Sequence, residues 1–262
     1  MLSGHGRTLH RVVQLLRPGQ YEYMIRKGGD VMRFRDRRDA GQALAGSLAQ
    51  YADRPDVIVL ALPRGGVPVG YEVASALRVP LDVFLVRKLG APGNEELAMG
   101  AIASGGVRVI NRDVVEGSSI SPATIDAVAA AEARELERRE RDYRDDRPAP
   151  TIKDRVVILV DDGLATGATM RAGLIALRMK QPLRLIAAVP VAPVMTCREL
   201  RAIADEMVCI ATPEPFYGVG LWYDDFSPTS DAEVRELLHL VGGHVPTPST
   251  DYGAKDDFPD MQ

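Results

Sequence analysis

The sequence is poor in the residues that build metal centres, disulfide scaffolds and membrane spans. Of its 262 residues only two are cysteine, Cys197 and Cys209, and four are histidine. The cysteines lack Cys-x-x-Cys spacing, which argues against a disulfide framework and reads as two reduced thiols in the core of a cytoplasmic protein. His5, His10, His239 and His244 form no cluster, so no metal site is assigned to them. No apolar run approaches the ~20 residues of a membrane span, and no basic stretch followed by an apolar one marks a secretory signal. Neither sign of charge dominates: 32 Lys and Arg face 36 Asp and Glu, a net charge of −4. A broad nucleic-acid surface is therefore not expected. Aromatic residues make up 5% of the chain, with one tryptophan, so any cluster of them stands out. What remains is ordinary for a globular protein, 46% hydrophobic and 26% charged, enough for a sizeable core.

Periodicity gives the organisation. Residues 1–32 are weakly patterned and read as an N-terminal extension, 33–243 as the main domain with a hood at about 212–243, and 244–262 as a polar, disordered tail. Apolar residues recur at helical spacing over 36–51. Continuous apolar runs at 57–62, 81–86, 155–160, 183–189 and 207–211 predict strands, several buried on both faces. Helices are predicted between them at 69–77, 168–179 and 195–203, with a final one at 231–240. Ser121-Pro122 supplies a cap and a first-turn proline for a long charged helix to about 143. That helix reads as a solvated or dimer-facing element. Residues 97–103 and 107–110 are spaced to pair as a hairpin. Strands alternating with helices predict an α/β fold: a mostly parallel central sheet with helices on both faces, plus a small C-terminal hood. Ligands in such sheets bind at the carboxyl ends of the strands.

One strand ends unusually, in "VVILVDDGLATGATM" from Val156 to Met170. Two carboxylates, Asp161 and Asp162, terminate a buried run. A loop of Gly163, Ala165, Thr166, Gly167, Ala168 and Thr169 follows and opens a helix. Unpaired N–H groups and the helix dipole at such a start favour an anion. The glycines let backbone approach closely, and the threonines add hydroxyl donors. Two bare carboxylates would repel a phosphate, so they need another partner, either sugar hydroxyls or a divalent cation. A solvated turn with a threonine cap is the plain alternative. A Walker B strand is a third, but no G-x-x-x-x-G-K-[ST] partner occurs.

This stretch resembles the signature of the type I phosphoribosyltransferases, which use phosphoribosyl pyrophosphate (PRPP). The resemblance extends with gaps from about Phe34 to Leu240. It is strongest to bacterial stand-alone members of unassigned substrate, which share segments like "ALPRGGVPVG", "RKLGAPGNEELAMGAIA" and "VGLWYDDF". It implies that Asp161 and Asp162 hold the ribose hydroxyls and that the loop through Thr169 holds the 5′-phosphate. Arg64, Gly65 and Gly66 then form the pyrophosphate loop, where the family often has a cis peptide, expected here at Arg64–Gly65. Residues 87–106, with Arg87 and Lys88 at their head, resemble the family's flexible loop that closes over PRPP. Arg87 and Lys88 are implied to contact pyrophosphate, with Lys88 the candidate to neutralise it as it departs, and Glu95 and Glu96 read as solvated. In "PFYGVGLWYDDF", Phe216, Tyr217 or Trp222 is the candidate base-stacking ring, and Asp224 the candidate Mg²⁺ ligand. A hydrophobic plug is the plain alternative for that segment.

The expectation is a Mg²⁺-dependent, cytoplasmic phosphoribosyltransferase, catalytic through Lys88, Asp161 and Asp162. Its partners would be PRPP, pyrophosphate and a nucleobase or other amine acceptor, with a possible homodimer, no membrane and no nucleic acid. A PRPP-sensing regulator on the same fold is the second reading.

Overall fold

The computed structural model describes residues 33–145 and 147–242. The predicted extension over 1–32 and the tail over 244–262 lie outside the described residues. The main sheet has five parallel strands in the order β2-β1-β6-β7-β8. These are β1 (Val57–Ala61), β2 (Leu81–Val83), β6 (Val156–Val160), β7 (Arg184–Val191) and β8 (Glu206–Ala211). Every residue of β1 and β6 is buried, as the unbroken apolar runs require.

The two faces of the sheet make two cores. Val57, Val59, Ala61, Val156, Ile158 and Val160 pack with residues of α1 (Arg37–Ser47), α2 (Gly66–Leu77), α4 (Pro122–Arg144) and α7 (Asp231–Gly242). Ile58, Leu60, Val157 and Leu159 pack on the other face with α5 (Ala168–Met179) and α6 (Val194–Leu200). The period-2 alternation of a strand thus distributes one apolar run between two layers. Cys197 is buried in the second core and Cys209 packs against it, both as free thiols.

The predicted strand over 81–86 is instead divided between two sheets. β2 ends at Val83, and Val86 opens β3 (Val86–Ala91) of a separate antiparallel sheet with β4 (Asn94–Ala103) and β5 (Val107–Ile110). The chain changes partners at Leu85, whose N–H donates to Ser104 Oγ at 2.8 Å and whose carbonyl accepts from Ser104 N at 2.9 Å. Residues 87–106, for which the resemblance implied a flexible loop, are largely strand. Gly93, Gly105 and Gly106 have positive φ at its two turns, so these glycines serve chain reversal. The predicted pairing of 97–103 with 107–110 is present. A short helix, α3 (Arg112–Gly117), was not predicted.

Ser121 caps α4, accepting from Thr124 N at 3.1 Å, with Pro122 in the first turn. At its other end Arg144, only 7% exposed, donates through Nε to the Asp82 carboxylate at 3.0 and 3.1 Å and through Nη2 to the Val83 carbonyl. Burial pushes the Asp82 carboxyl up and Arg144 opposes this. Arg144→Ala would strand that carboxylate in the interior. The expected destabilisation is about 3–5 kcal/mol, measured by urea unfolding; a change under ~1 kcal/mol would show that the pair is not an anchor.

Candidate functional site

Pairing register brings the site together. Ala61, the last residue of β1, lies opposite Val160, the last of β6, and Leu62 N donates to Val160 O at 2.9 Å. The segments leaving the two strands, Pro63 to Gly66 and Asp161 to Thr169, therefore start side by side at the carboxyl edge of the sheet.

They are also in direct contact. A Cβ on Gly65 would sit 2.0 Å from Asp162 Oδ2, and one on Gly66 would sit 2.8 Å from the Val160 carbonyl and 3.0 Å from Asp161 Cα. Neither position has room for a side chain. The cis peptide falls at Pro63–Arg64, one bond before the expected Arg64–Gly65. Gly65 already has helical backbone angles, and Val67 N donates to Arg64 O at 3.1 Å. The Arg64–Gly65 bond thus belongs to the turn that opens α2. The Arg64 side chain is half exposed, with Nη1 4.0 Å from Asp231 Oδ1, and Asp231 in turn accepts from the Tyr143 hydroxyl at 2.5 Å.

Asp161 and Asp162 differ in environment. The Asp162 N–H donates to Asp161 Oδ1 at 2.9 Å. Burial, then the neighbouring Asp162 charge, push the Asp161 carboxyl well above the usual range. Burial also pushes Asp162 up, and the Arg37 guanidinium opposes the rise. Arg37 Nε donates to Asp162 Oδ2 at 2.7 Å, and Arg37 Nη1 to the Ser227 carbonyl at 2.6 Å. Its guanidinium carbon lies 3.9 Å from the centre of the Phe226 ring. Arg37 was not singled out in the sequence, because in the run Asp36-Arg37-Arg38-Asp39 it reads as one more solvated charge.

The segment 163–169 has a buried frame and an exposed rim. Gly163, Leu164 and Gly167 are buried, whereas Ala165, Thr166, Ala168 and Thr169 are exposed. Leu164 N donates to Val191 O at 2.9 Å, and the buried Thr196 hydroxyl donates to Ala165 O at 3.0 Å. Gly167, at φ 70°, caps the twelve-residue α5. Cβ atoms on Gly163 and Gly167 would lie 2.5 Å from Val219 and 2.6 Å from Thr196. The first turn of α5 is thus held rigidly with its N-terminus facing out, a geometry suited to an anion.

The remaining predicted residues are distributed as follows. Arg87, in β3, pairs with Glu132 of α4. Lys88 is exposed on β3 and lies opposite Ala101. In the hood, Tyr223 packs between Phe34 and Phe226, with ring centroids 5.6 and 4.9 Å apart. Phe216 and Trp222 are half-buried against this cluster, while Tyr217 is 81% exposed. Asp224 is exposed, its N–H donating to Phe34 O at 2.8 Å. The hood is also fastened to the site, because the Tyr223 hydroxyl donates to Asp162 O at 2.5 Å.

Residues 35–223 match the family described as the phosphoribosyl transferase domain. The chain belongs to this family. It is 47% identical over 205 residues to Mycobacterium tuberculosis proteins (strains H37Rv and CDC 1551 / Oshkosh) named as candidate phosphoribosyl transferases. The match takes in 78% of the chain and 46% of each relative, so the chain spans about half the length of the curated relatives it matches. The crystal structure of TT1426 from Thermus thermophilus superposes with a TM-score of 0.70 at 43% identity, covering 79% of this chain and 98% of that one. The phosphoribosyl transferase fold thus carries the carboxylate pair at its strand edge.

The electrostatics of that pair generate a prediction. A carboxyl whose folded pKa is raised binds more protons in the fold than in the unfolded chain, so its ionisation costs stability as pH rises above the ordinary carboxylate range. Asp161→Asn removes this cost, and the amide oxygen still accepts from Asp162 N. Thermal unfolding should show a higher Tm for the variant at pH 7.5 and a smaller difference at pH 4. Equal Tm differences at both pH values would contradict the assigned burial.

Proposed function

We propose that the protein transfers a 5-phosphoribosyl group from PRPP to a nitrogen acceptor, a nucleobase or another amine, and releases pyrophosphate. The observation carrying this reading is the fusion of two anion-suited backbone segments around one carboxylate pair: Gly65 and Gly66 lie against Asp161 and Asp162, and the α5 start lies just beyond. A sugar flanked by two phosphate groups matches that order of features. The 5′-phosphate would lie at Gly163, Ala165 to Thr169, the ribose hydroxyls at Asp161 and Asp162, and pyrophosphate at Arg64 to Gly66 with Lys88.

In the reaction the acceptor nitrogen attacks C1′ and the C1′–O bond to pyrophosphate breaks. The leaving oxygen keeps the electron pair, and the acceptor nitrogen loses its proton. The chain contributes position and charge complementarity. Among the described residues no group of three or more His, Cys, Asp or Glu side chains could hold a metal ion. Mg²⁺ commonly binds one or two carboxylates plus substrate phosphates, and the solvent-exposed carboxylate of Asp224 fits that limited role. Bound with pyrophosphate, Mg²⁺ would supply charge neutralisation. Phe216, Tyr217 and Trp222 are the rings proposed to meet a planar acceptor.

A PRPP-sensing protein is the second reading, favoured by the engagement of Arg87 with Glu132 and by the folded sheet over 87–106. Incubation of the protein with PRPP, Mg²⁺ and a panel of purines, pyrimidines and simple amines, with pyrophosphate detection, separates the two. Turnover with at least one acceptor is the expected result, and PRPP affinity without turnover across the panel would favour the sensor. With an acceptor in hand, Lys88→Ala should lower kcat by ~10²–10³-fold while changing PRPP affinity less.

A further inference from the structure

The ribose carboxylate Asp162 already has a cationic partner within the chain, and that partner occupies a costly position. Arg37 is the first residue of α1, where the helix dipole disfavours a cation, and it is 9% exposed. A buried charge at the wrong end of a helix persists only where its other contacts offset the cost. Those contacts are Asp162 Oδ2, the Ser227 carbonyl and the face of Phe226. Apart from the carboxylate, both are hood groups. The hood returns to the same residue through the Tyr223 hydroxyl on the Asp162 carbonyl. Asp162 is thus gripped at its side chain and at its main chain.

We infer that Arg37 is a positioning residue for the ribose subsite: it fixes the Asp162 carboxylate as an oriented acceptor for a sugar hydroxyl and links it to the hood. The inference rests on the proposed function and deepens it, because it assigns the subsite's selectivity for a hydroxylated sugar to a residue outside the Asp161–Thr169 segment. Asp161, Arg37 and Tyr223 are the ionisable groups bearing on this carboxylate, and Asp225 lies near Arg37. Arg37 is the cation among them. Without it, the Asp162 carboxylate would lose both the donor that orients it and the cation that opposes its protonation. A lysine would restore charge but not the fork that reaches Asp162 and Ser227 together.

The test uses the full chain and calorimetry with four probes: ribose 5-phosphate, its 2-deoxy and 3-deoxy analogues, and inorganic phosphate. Arg37→Gln should weaken ribose 5-phosphate about 10-fold or more. Inorganic phosphate, and the deoxy sugar lacking the hydroxyl that Asp162 holds, should stay within about twofold. The preference for ribose over that analogue then falls toward one, and Arg37→Lys recovers part of it. Phe226→Leu keeps the guanidinium but removes the ring beneath it, and serves if Arg37→Gln does not fold; its preference should fall in the same direction. Full preference retained in the folded variants, or equal weakening of all four probes, would overturn the inference and leave the proposed function standing. A parent protein that binds ribose 5-phosphate no better than inorganic phosphate would remove the ribose reading itself, and this inference with it.

Discussion

The site depends first on the parallel pairing of β1 with β6, in a register that sets Ala61 opposite Val160. Two apolar strands buried on both faces have little freedom to slip, since each residue would exchange one core for the other. Once that register is fixed, the segments after the strands must leave side by side. They can then touch only if one of them lacks side chains, which is the physical role of Gly65 and Gly66. A Cβ at either would collide with the carboxylate segment. The glycines that looked like a phosphate-binding feature are, in the first place, a packing requirement between the two halves of the site.

Bringing the segments together creates an electrostatic difficulty that the fold resolves asymmetrically. Asp161 is left with its neighbour's charge; Asp162 receives Arg37. The carboxylate pair was expected to need sugar hydroxyls or a divalent cation, and the structure supplies a third partner from its own first helix. That solution couples distant parts of the chain. Phe34 and Arg35 pair with 222–225 through main-chain hydrogen bonds, Arg37 holds Asp162 and Ser227, and Tyr223 holds Asp162. The beginning of the domain and its hood thus form one clamp over the carboxylate pair.

Much of this was legible in the sequence wherever local pattern and tertiary environment agree. The central strands β1, β6 and β7 announce themselves because burial on both faces leaves unbroken apolar runs. The helix over 168–179 is bounded by a glycine cap and by the change of period, and its observed limits coincide with the expected ones. What was not legible depends on partner choice. The run over 81–86 is uniformly apolar whether it stays in one sheet or crosses to another, so the hand-off at Leu85 leaves no mark in composition. The glycines of 87–106 do not tell a flexible loop from a hairpin, since turn glycines and hinge glycines are the same residue in sequence. Arg37 was hidden for a similar reason. A charge in a charged run becomes exceptional only when folding buries it.

The hood divides its aromatic residues by burial, and the division limits what each can do. Tyr223 and Phe226 are engaged in packing with Phe34 and beneath Arg37, so their faces serve the clamp. Trp222 is half-buried, and its Nε1 has no acceptor in the structure. Tyr217 keeps most of its surface in solvent. Rings fixed by packing and a ring left open are different instruments: the first set a position, the second adapts to whatever flat surface arrives. The Tyr223 hydroxyl donates to the Asp162 carbonyl, and Tyr223 lies one residue from Trp222 and from Asp224, so the open part of the hood is joined to the carboxylate pair through a single hydrogen bond. Under the proposed function, acceptor engagement and sugar alignment become mechanically linked: a substitution that loosens the hood should disturb the sugar end of the site even where it touches no sugar atom.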